Sequence, residues 1–347
     1  MTTAAPSPVA EPSAVSAFVA LVGFSFRRQW RVRGMGWVAV GLLAVLTITV
    51  AGVTHGSPDW GWGLEGRIAW RYWTSSPDAQ FKPGTTEKER DKLEFIRYHQ
   101  ATEQLDRVQM VPLSSNSSAM EMTAFAILRV ILIDKVFLDE WAFLNFTRWV
   151  VFTMYLGFVL PLFTLAFASG AMGTEREGRT MIWLFTRPLP RWAIYLAKFL
   201  GVLPWCLLAS GGGFVALCLA GGEYGQRALA AYWPAVLAGT ISFSALFHFV
   251  GAVFRRPTVV GLVYIFFFEM LVANLPGSLK QLSLNYYVRS LMYNEAAAVL
   301  TKVSPESLAV YAPAETASAW GTLAVVTVGI TGLGMWLFGR LESKDET

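Results

Sequence analysis

The spacing closest to a chemical motif lies in residues 173–180, GTEREGRT. Two glycines separated by four residues and followed by a basic residue and threonine are typical of a phosphate-binding loop, which has lysine where this chain has Arg179. That loop must follow a β-strand so that its backbone N–H groups converge on the phosphates. Here the segment follows an apolar run, and Glu175 and Glu177 would place negative charge beside a nucleotide. We therefore predict that the chain has no nucleotide site of its own and is not an enzyme.

Three polar residues lie inside other apolar runs and form a candidate intramembrane polar site: His248, Glu269 and Asn274. Ionisable groups in a bilayer are costly and usually face a bundle interior or a cavity. Glu269 could bind a cationic group of a substrate or relay protons, or it could be an acid at a helix end near the outer interface. We expect His248 to be a hydrogen-bonded packing residue rather than a ligand.

The histidines and cysteines do not have the spacing of a metal site, so we predict that the chain holds no metal. Cys206 and Cys218 lie in one apolar run, about 18 Å apart if it is a straight helix, which is too far for a disulfide. We expect both to be packing residues. The HExxH motif of zinc proteases is absent, and neither His248 nor Glu269 has a partner at helical spacing. An intramembrane hydrolase is therefore a weak hypothesis.

The composition identifies the bilayer as the solvent of this chain. Of its 347 residues, 54% are hydrophobic and only 15% are charged, whereas about a quarter of the residues are charged in ordinary soluble domains. Aromatic residues, which collect at membrane interfaces, make up 14%. The basic residues flank apolar runs instead of forming one stripe, which argues against nucleic-acid binding.

Apolar runs long enough to cross about 30 Å of hydrocarbon predict an all-α membrane protein with six transmembrane helices. Residues 149–338 would form a five-span bundle, joined to the first span by a large extracytoplasmic domain. The predicted spans are 37–53, 149–172, 196–221, 232–254, 258–275 and 317–338.

The distribution of arginine and lysine predicts the orientation. With both termini cytoplasmic, the inside segments carry thirteen of these residues and the two shorter outside loops carry four. Basic residues are enriched in cytoplasmic loops, so the count favours this topology in the cell (inner) membrane. A further apolar segment, 125–138, would add a seventh span and invert every later loop. Its Arg129 and Asp134 would each cost about 2.5–3.5 kcal/mol at a helix centre, so we assign it to the outside domain.

The remaining segments complete the domain organisation. Residues 1–14 are predicted to be a disordered tail and 339–347 a cytoplasmic tail, with the extracytoplasmic domain at 54–148. Residues 15–36 have an apolar stripe and arginines at one end, as in a helix lying on an anionic leaflet; the alternative is a simple lead-in to the first span. Residues 276–315 are typical of a loop with partly embedded short helices.

Glycine clusters within the predicted spans indicate close helix contacts or flexible points, since small residues let backbones approach. One cluster is Gly211–Gly213, directly after Ser210. The other comprises Gly329, Gly332 and Gly334.

The charged loop 173–198 is predicted to form a rigid projection between two spans. Acids at the start of a short helix between Gly178 and Pro188 would be stabilised by the helix dipole. Pro188 and Pro190 would end that helix, because proline lacks a backbone donor and disfavours helix before it. Force on such a projection would move both spans. The alternative is an ordinary positively charged inside loop.

The same loop resembles the first cytoplasmic loop of type-2 ATP-binding-cassette (ABC) exporter permeases. The resemblance extends to the amphipathic N-terminal helix, the six spans and the cytoplasmic termini, but not to the large outside domain. It implies a coupling helix that docks into a separate ABC ATPase subunit, which binds ATP–Mg, and pairing with a second permease subunit, identical or related. The loop residues that carry it are Glu175, Glu177, Gly178, Arg179, Thr180, Leu184, Pro188 and Arg191.

A second hypothesis comes from the outside domain, 54–148, which is large and rich in aromatic residues. The protein would then be a non-transporting membrane scaffold that captures a partner protein through this domain. An ATPase stimulated by a small molecule or lipid would favour the permease, whereas a stable partner outside the membrane would favour the scaffold.

Overall fold

The structure is a computed structural model that is entirely helical in the part of the chain it describes. The predicted all-α class is therefore confirmed for these residues. Most of the predicted outside domain, including most of segment 125–138, lies outside them, as do most residues of the two predicted tails. The described residues are 13–31, 33–55, 135–177, 189–274, 277–300, 308, 310 and 312–340.

Two helices begin the chain: α1 comprises Ala14–Arg31, and α2 comprises Arg33–His55. Residues 15–31 of the predicted amphipathic segment are helical. Leu21 and Ser25 are buried in protein contacts, whereas Val15 on the same helix is 73% exposed. One side of α1 therefore packs against the bundle.

A long helix, α3, runs through residues 135–177 and lies at the centre of the bundle. The predicted boundary between the outside domain and the second span, at residue 148, falls inside this continuous helix. Pro161 interrupts its regular hydrogen bonding, because its ring removes a donor and crowds the carbonyl four residues earlier. Wider π-helical turns occur on both sides of it. The segments are α-helical Lys135–Phe146, π-helical Thr147–Val159, α-helical Leu160–Thr164, π-helical Leu165–Ser169 and α-helical Gly170–Glu177.

Helices α4 (Arg191–Ala220) and α5 (Gly222–Val253) form a tight hairpin. Gly222 has φ +62°, in the left-handed region that favours glycine. A Cβ at Gly221 would overlap the Phe146 ring of α3. The turn therefore needs two consecutive glycines, one for its backbone angle and one for space.

The last part of the described chain consists of shorter helical segments that change type or are separated by turns. Helix α6 covers residues 257–274 as α-helical Pro257–Tyr264, π-helical Ile265–Leu271 and 3₁₀-helical Val272–Asn274. A 3₁₀ turn and then helices α7 and α8 complete the bundle. These elements are Leu279–Leu282, Leu284–Val299 and Thr316–Arg340, respectively.

Four helices of the described residues are long and apolar enough to cross a membrane, and they match the second, third, fourth and sixth predicted spans. The apolar parts of the first and fifth are shorter, at Ala39–His55 and Pro257–Leu271. The four long candidates are Asp139–Gly173, Arg191–Ala220, Gly222–Val253 and Thr316–Arg340.

Interhelical packing bears out part of the glycine prediction. A Cβ at Gly213 would lie 3.1 Å from Val159 of α3, and one at Gly334 would overlap the Tyr195 ring of α4. Gly211 and Gly212 have nothing within 4 Å of such an atom. Cys206 and Cys218 are free and buried in the main core, as expected for packing residues.

Candidate functional site

The predicted coupling loop is bracketed by two rigid helix ends. Glu175 and Glu177 belong to the final segment of α3, and Arg191 is the first residue of α4. Pro190 precedes α4 in an extended conformation, with ψ 143°, so the loop enters α4 directly after a proline. The loop is therefore tied to the ends of two long helices. Five other predicted coupling residues lie outside the described residues: Gly178, Arg179, Thr180, Leu184 and Pro188.

A compact apolar cluster, here called the junction cluster, lies where these two helix ends meet. It draws residues from α1, α3, α4, α5 and α8. Met172 of α3 and Ile194 of α4 are both completely buried in it, one on each side of the loop. The two helix ends that flank the loop are therefore packed against three further helices. The members of the junction cluster are Leu21, Met172, Ile194, Tyr195, Ala197, Ala252 and Phe338.

Helix α6 also touches the base of the loop. A Cβ at Gly173 of α3 would lie 3.0 Å from Cγ of Pro257, the first residue of α6. Farther along, a Cβ at Gly261 would overlap the side chain of Leu165. The end of α3 and the start of α6 are thus in direct contact. At each of these two contacts, one of the two helices has a glycine, which leaves room for the side chain of the other.

His248 joins α5 to α4 near the junction cluster. It is completely buried, and its Nε2 lies 3.3 Å from the carbonyl oxygen of Tyr195. Its ring centroid is 4.6 Å from that of Tyr195 and 5.5 Å from that of Phe199. These contacts are those of a packing residue that bridges two helices, in agreement with the expectation from the sequence.

Glu269, in the π-helical part of α6, is completely buried and surrounded by donors of this chain. Its Oε1 accepts hydrogen bonds from the Tyr264 hydroxyl at 2.6 Å and the Leu284 N–H at 3.1 Å. Its Oε2 accepts from the Ser283 hydroxyl at 2.6 Å and the Asn285 N–H at 3.0 Å. A carboxylate has about four lone-pair sites, so these donors fill its accepting capacity.

This arrangement places Glu269 on the amino-terminal end of α7, where free N–H groups and the helix dipole favour an anion. The sequence left two interpretations of Glu269 open: a group that binds a cationic substrate or relays protons, and an acid at a helix end near the outer interface. In the structure, the carboxylate caps a neighbouring helix. Asn274, the third predicted member of the polar site, ends the 3₁₀ segment of α6, and only its backbone is described.

Helix α7 begins halfway through the bundle. The Asn285 side-chain amide donates to the carbonyl oxygen of Leu156 at 2.9 Å, and Leu156 is the midpoint of the apolar stretch Asp139–Gly173. A Cβ at Gly239, in the middle of α5, would lie 3.0 Å from Val288. We call α7 the half-helix, because it starts at the centre of the bundle and runs toward the end opposite the loop.

A second contact ties the half-helix to α3 one turn later. The Arg289 guanidinium donates to the carbonyl oxygen of Phe152 at 3.5 Å and lies 5.7 Å from the centroid of that ring. Both acceptor carbonyls belong to the π-helical segment of α3. Sequence reasoning missed Ser283, Asn285 and Arg289. The available signals were a serine at a helix N-cap position and an arginine within an otherwise apolar stretch.

Hydroxyl groups connect the three central helices at a similar depth. The Tyr155 hydroxyl lies 2.8 Å from the Ser210 hydroxyl, which lies 3.1 Å from that of Thr240. Such interhelical bonds average about 0.6 kcal/mol in membrane bundles. They hold α3, α4 and α5 together as one unit, from which α6 and the half-helix extend.

Comparison with protein families gives a match to one family model over nearly the whole chain. A family model described as "ABC-2 family transporter protein" matches residues 26–342. Searches among curated proteins and among solved structures return no match.

Proposed function

Because the chain belongs to the ABC-2 transporter permease family, it is a membrane transporter subunit, and we propose that it is coupled to a separate ABC ATPase and exports its cargo. The ATPase would bind ATP–Mg, and this chain would contribute no catalytic residue. Two permease subunits, identical or related, would pair around the transport path.

The observation that carries this proposal is that the two helix ends flanking loop 173–198 meet at the junction cluster. The loop lies between α3 and α4 in the chain, and the cluster formed by their ends also includes residues of α1, α5 and α8. When the ATPase subunits close on ATP, force on the loop would be distributed to all these helices. Alternate opening of the permease pair would then move cargo outward.

The charge distribution supports a cytoplasmic position for the loop end, defined as the bundle end with Glu177, Arg191 and Pro257. Exposed arginines at this end include Arg255 and Arg256. Cytoplasmic loops are enriched in such residues. With α2 and α6 crossing in addition to the four long helices, both termini lie in the cytoplasm.

Charge reversal in the loop tests the coupling role. We expect Glu177→Lys with Arg191→Glu to reduce co-purification of the ATPase subunit at least about tenfold, the effect of losing about 1.4 kcal/mol of binding. The amount of permease in the membrane should stay unchanged. The control, Glu223→Lys, reverses a charge at the opposite end of the bundle and should not affect recovery.

Undiminished ATPase recovery with the reversed loop would contradict the coupling role. If a protein from outside the membrane co-purifies with the native chain and an ATPase subunit does not, the scaffold hypothesis is favoured instead.

A further inference from the structure

We propose that Glu269 is a positioning residue that fastens the half-helix to α6, so that motion of the coupling loop reaches the centre of the bundle. This inference rests on the proposed function and adds to it a specific route. The route runs from the loop to Pro257, along α6 to Glu269, and from there into the half-helix.

The half-helix is held more firmly by α6 than by α3. Glu269 of α6 accepts four hydrogen bonds of 2.6–3.1 Å from Tyr264, Ser283, Leu284 and Asn285. Three of these donors belong to the start of the half-helix, so α6 and the half-helix form one hairpin.

On the other side, hydrogen bonds from the half-helix to α3 end on backbone carbonyls. They include the bond from Asn285 to Leu156 at 2.9 Å and the bond from Arg289 to Phe152 at 3.5 Å. The second is at the long limit for a hydrogen bond. When α6 moves relative to α3, the contact with α3 is therefore the one expected to give way.

Helix α6 has the surroundings of a movable element. One of its faces is turned away from the bundle, with Val263 60% and Phe266 65% exposed. Its first residue, Pro257, contacts Gly173 of α3 directly beside the coupling loop. Since α6 contacts the loop base at one end and caps the half-helix near the other, it can act as a lever between them.

The test measures whether nucleotide binding exposes the core side of the half-helix. Ala296, 1% exposed, is replaced by cysteine in a chain whose Cys206 and Cys218 are alanine. The complex with its ATPase subunit is treated with a maleimide, first without nucleotide and then with ATP and vanadate. We expect the labelling rate to differ about tenfold between the two states, as for a local opening.

Glu269→Gln should bring this ratio of rates to about one, because the neutral amide cannot accept all four donors. A role in stability alone would raise both rates together and leave their ratio unchanged. Ser283→Ala removes one of the three donors of the half-helix, so it should lower the ratio without abolishing it. Ser244→Ala makes the same change at a buried serine of α5 and should leave the ratio unchanged.

The outcomes separate this inference from the proposed function. If no ATPase subunit co-purifies with the parent chain, both the proposed function and the role of Glu269 are overturned. If the ATPase is recovered but nucleotide does not alter labelling, or if Glu269→Gln keeps the parent ratio, only the role of Glu269 is overturned. Should Glu269→Gln fail to assemble, an unchanged ratio in Ser283→Ala overturns it.

Discussion

At the scale of single residues, the atoms around a buried carboxylate or a glycine explain why that residue type occupies its position. Glu269 is tolerated because hydroxyl and backbone donors replace the water it lost, including those of a helix start. Gly251 is needed for a different reason: a Cβ there would lie 2.6 Å from the Ser169 carbonyl oxygen and 3.1 Å from its Cα. Two backbones therefore touch at this point, where α3 and α5 approach the junction cluster.

Gly251→Ala should lower the midpoint of thermal unfolding in detergent, since forcing an atom into a filled contact costs about 1–3 kcal/mol. Because the obstructing atoms are backbone, a rotamer change cannot relieve the overlap. Gly212→Ala is the matched control in a helix, with nothing within 4 Å of the new atom, and should be neutral or slightly stabilising. Equal midpoints for the two variants would contradict the close approach.

At the scale of elements, α1 is held against α4 by specific contacts. The Trp205 indole N–H donates to the Phe26 carbonyl oxygen at 3.0 Å, and the two rings stack with centroids 5.2 Å apart. A Cβ at Gly201 would lie 2.6 Å from that of Ser25. The amphipathic helix is thus fixed to the helix that follows the coupling loop, and loop motion should carry it along.

Gly201→Leu should release α1 from α4, because the larger side chain occupies the position of Ser25. Trypsin cleavage at the exposed Arg27 should then be about tenfold faster, as expected if the docking weakens by about 1.4 kcal/mol. Gly211→Leu lies on the same helix, in open space, and should be cleaved at the rate of the unaltered chain. If both variants are cut equally fast, the docking of α1 does not depend on this contact.

At the scale of the whole molecule, the described residues differ in charge between the two ends of the bundle. The loop end has the exposed Arg255 and Arg256, whereas among the described residues of the opposite end Arg227 pairs with Asp139 and Lys280 is buried. Anionic headgroups and the insertion machinery favour a cytoplasmic position for such a loop end. This polarity supports the proposed six-span topology, with coupling on the cytoplasmic side.

Cysteine labelling tests this topology in intact cells. An impermeant maleimide should react with Glu223→Cys from outside, and with Thr180→Cys and Arg255→Cys only after the membrane is opened. Glu223 and Arg255 are exposed at opposite ends of α5, so they form an internal control. The reverse pattern would support the seven-span arrangement, with segment 125–138 as a span, and would remove the basis for ATPase coupling.

The sequence by itself determined the properties that depend on composition and local order. Long apolar runs require helices in a bilayer, because every backbone group must be paired within the segment, so the helical class and four long spans were predictable. The residues of loop 173–198 were enough to suggest the family that the comparison then identified.

Only the tertiary structure decided which buried groups meet. Glu269 could not be assigned from its own run, because most of its donors lie 14 to 16 residues later and reach it only after the chain turns back into the bundle. The same holds for Asn285 and Arg289, whose acceptors lie more than 100 residues away. Hydropathy measures how apolar a segment is, but a buried polar group is defined by partners that only folding brings together.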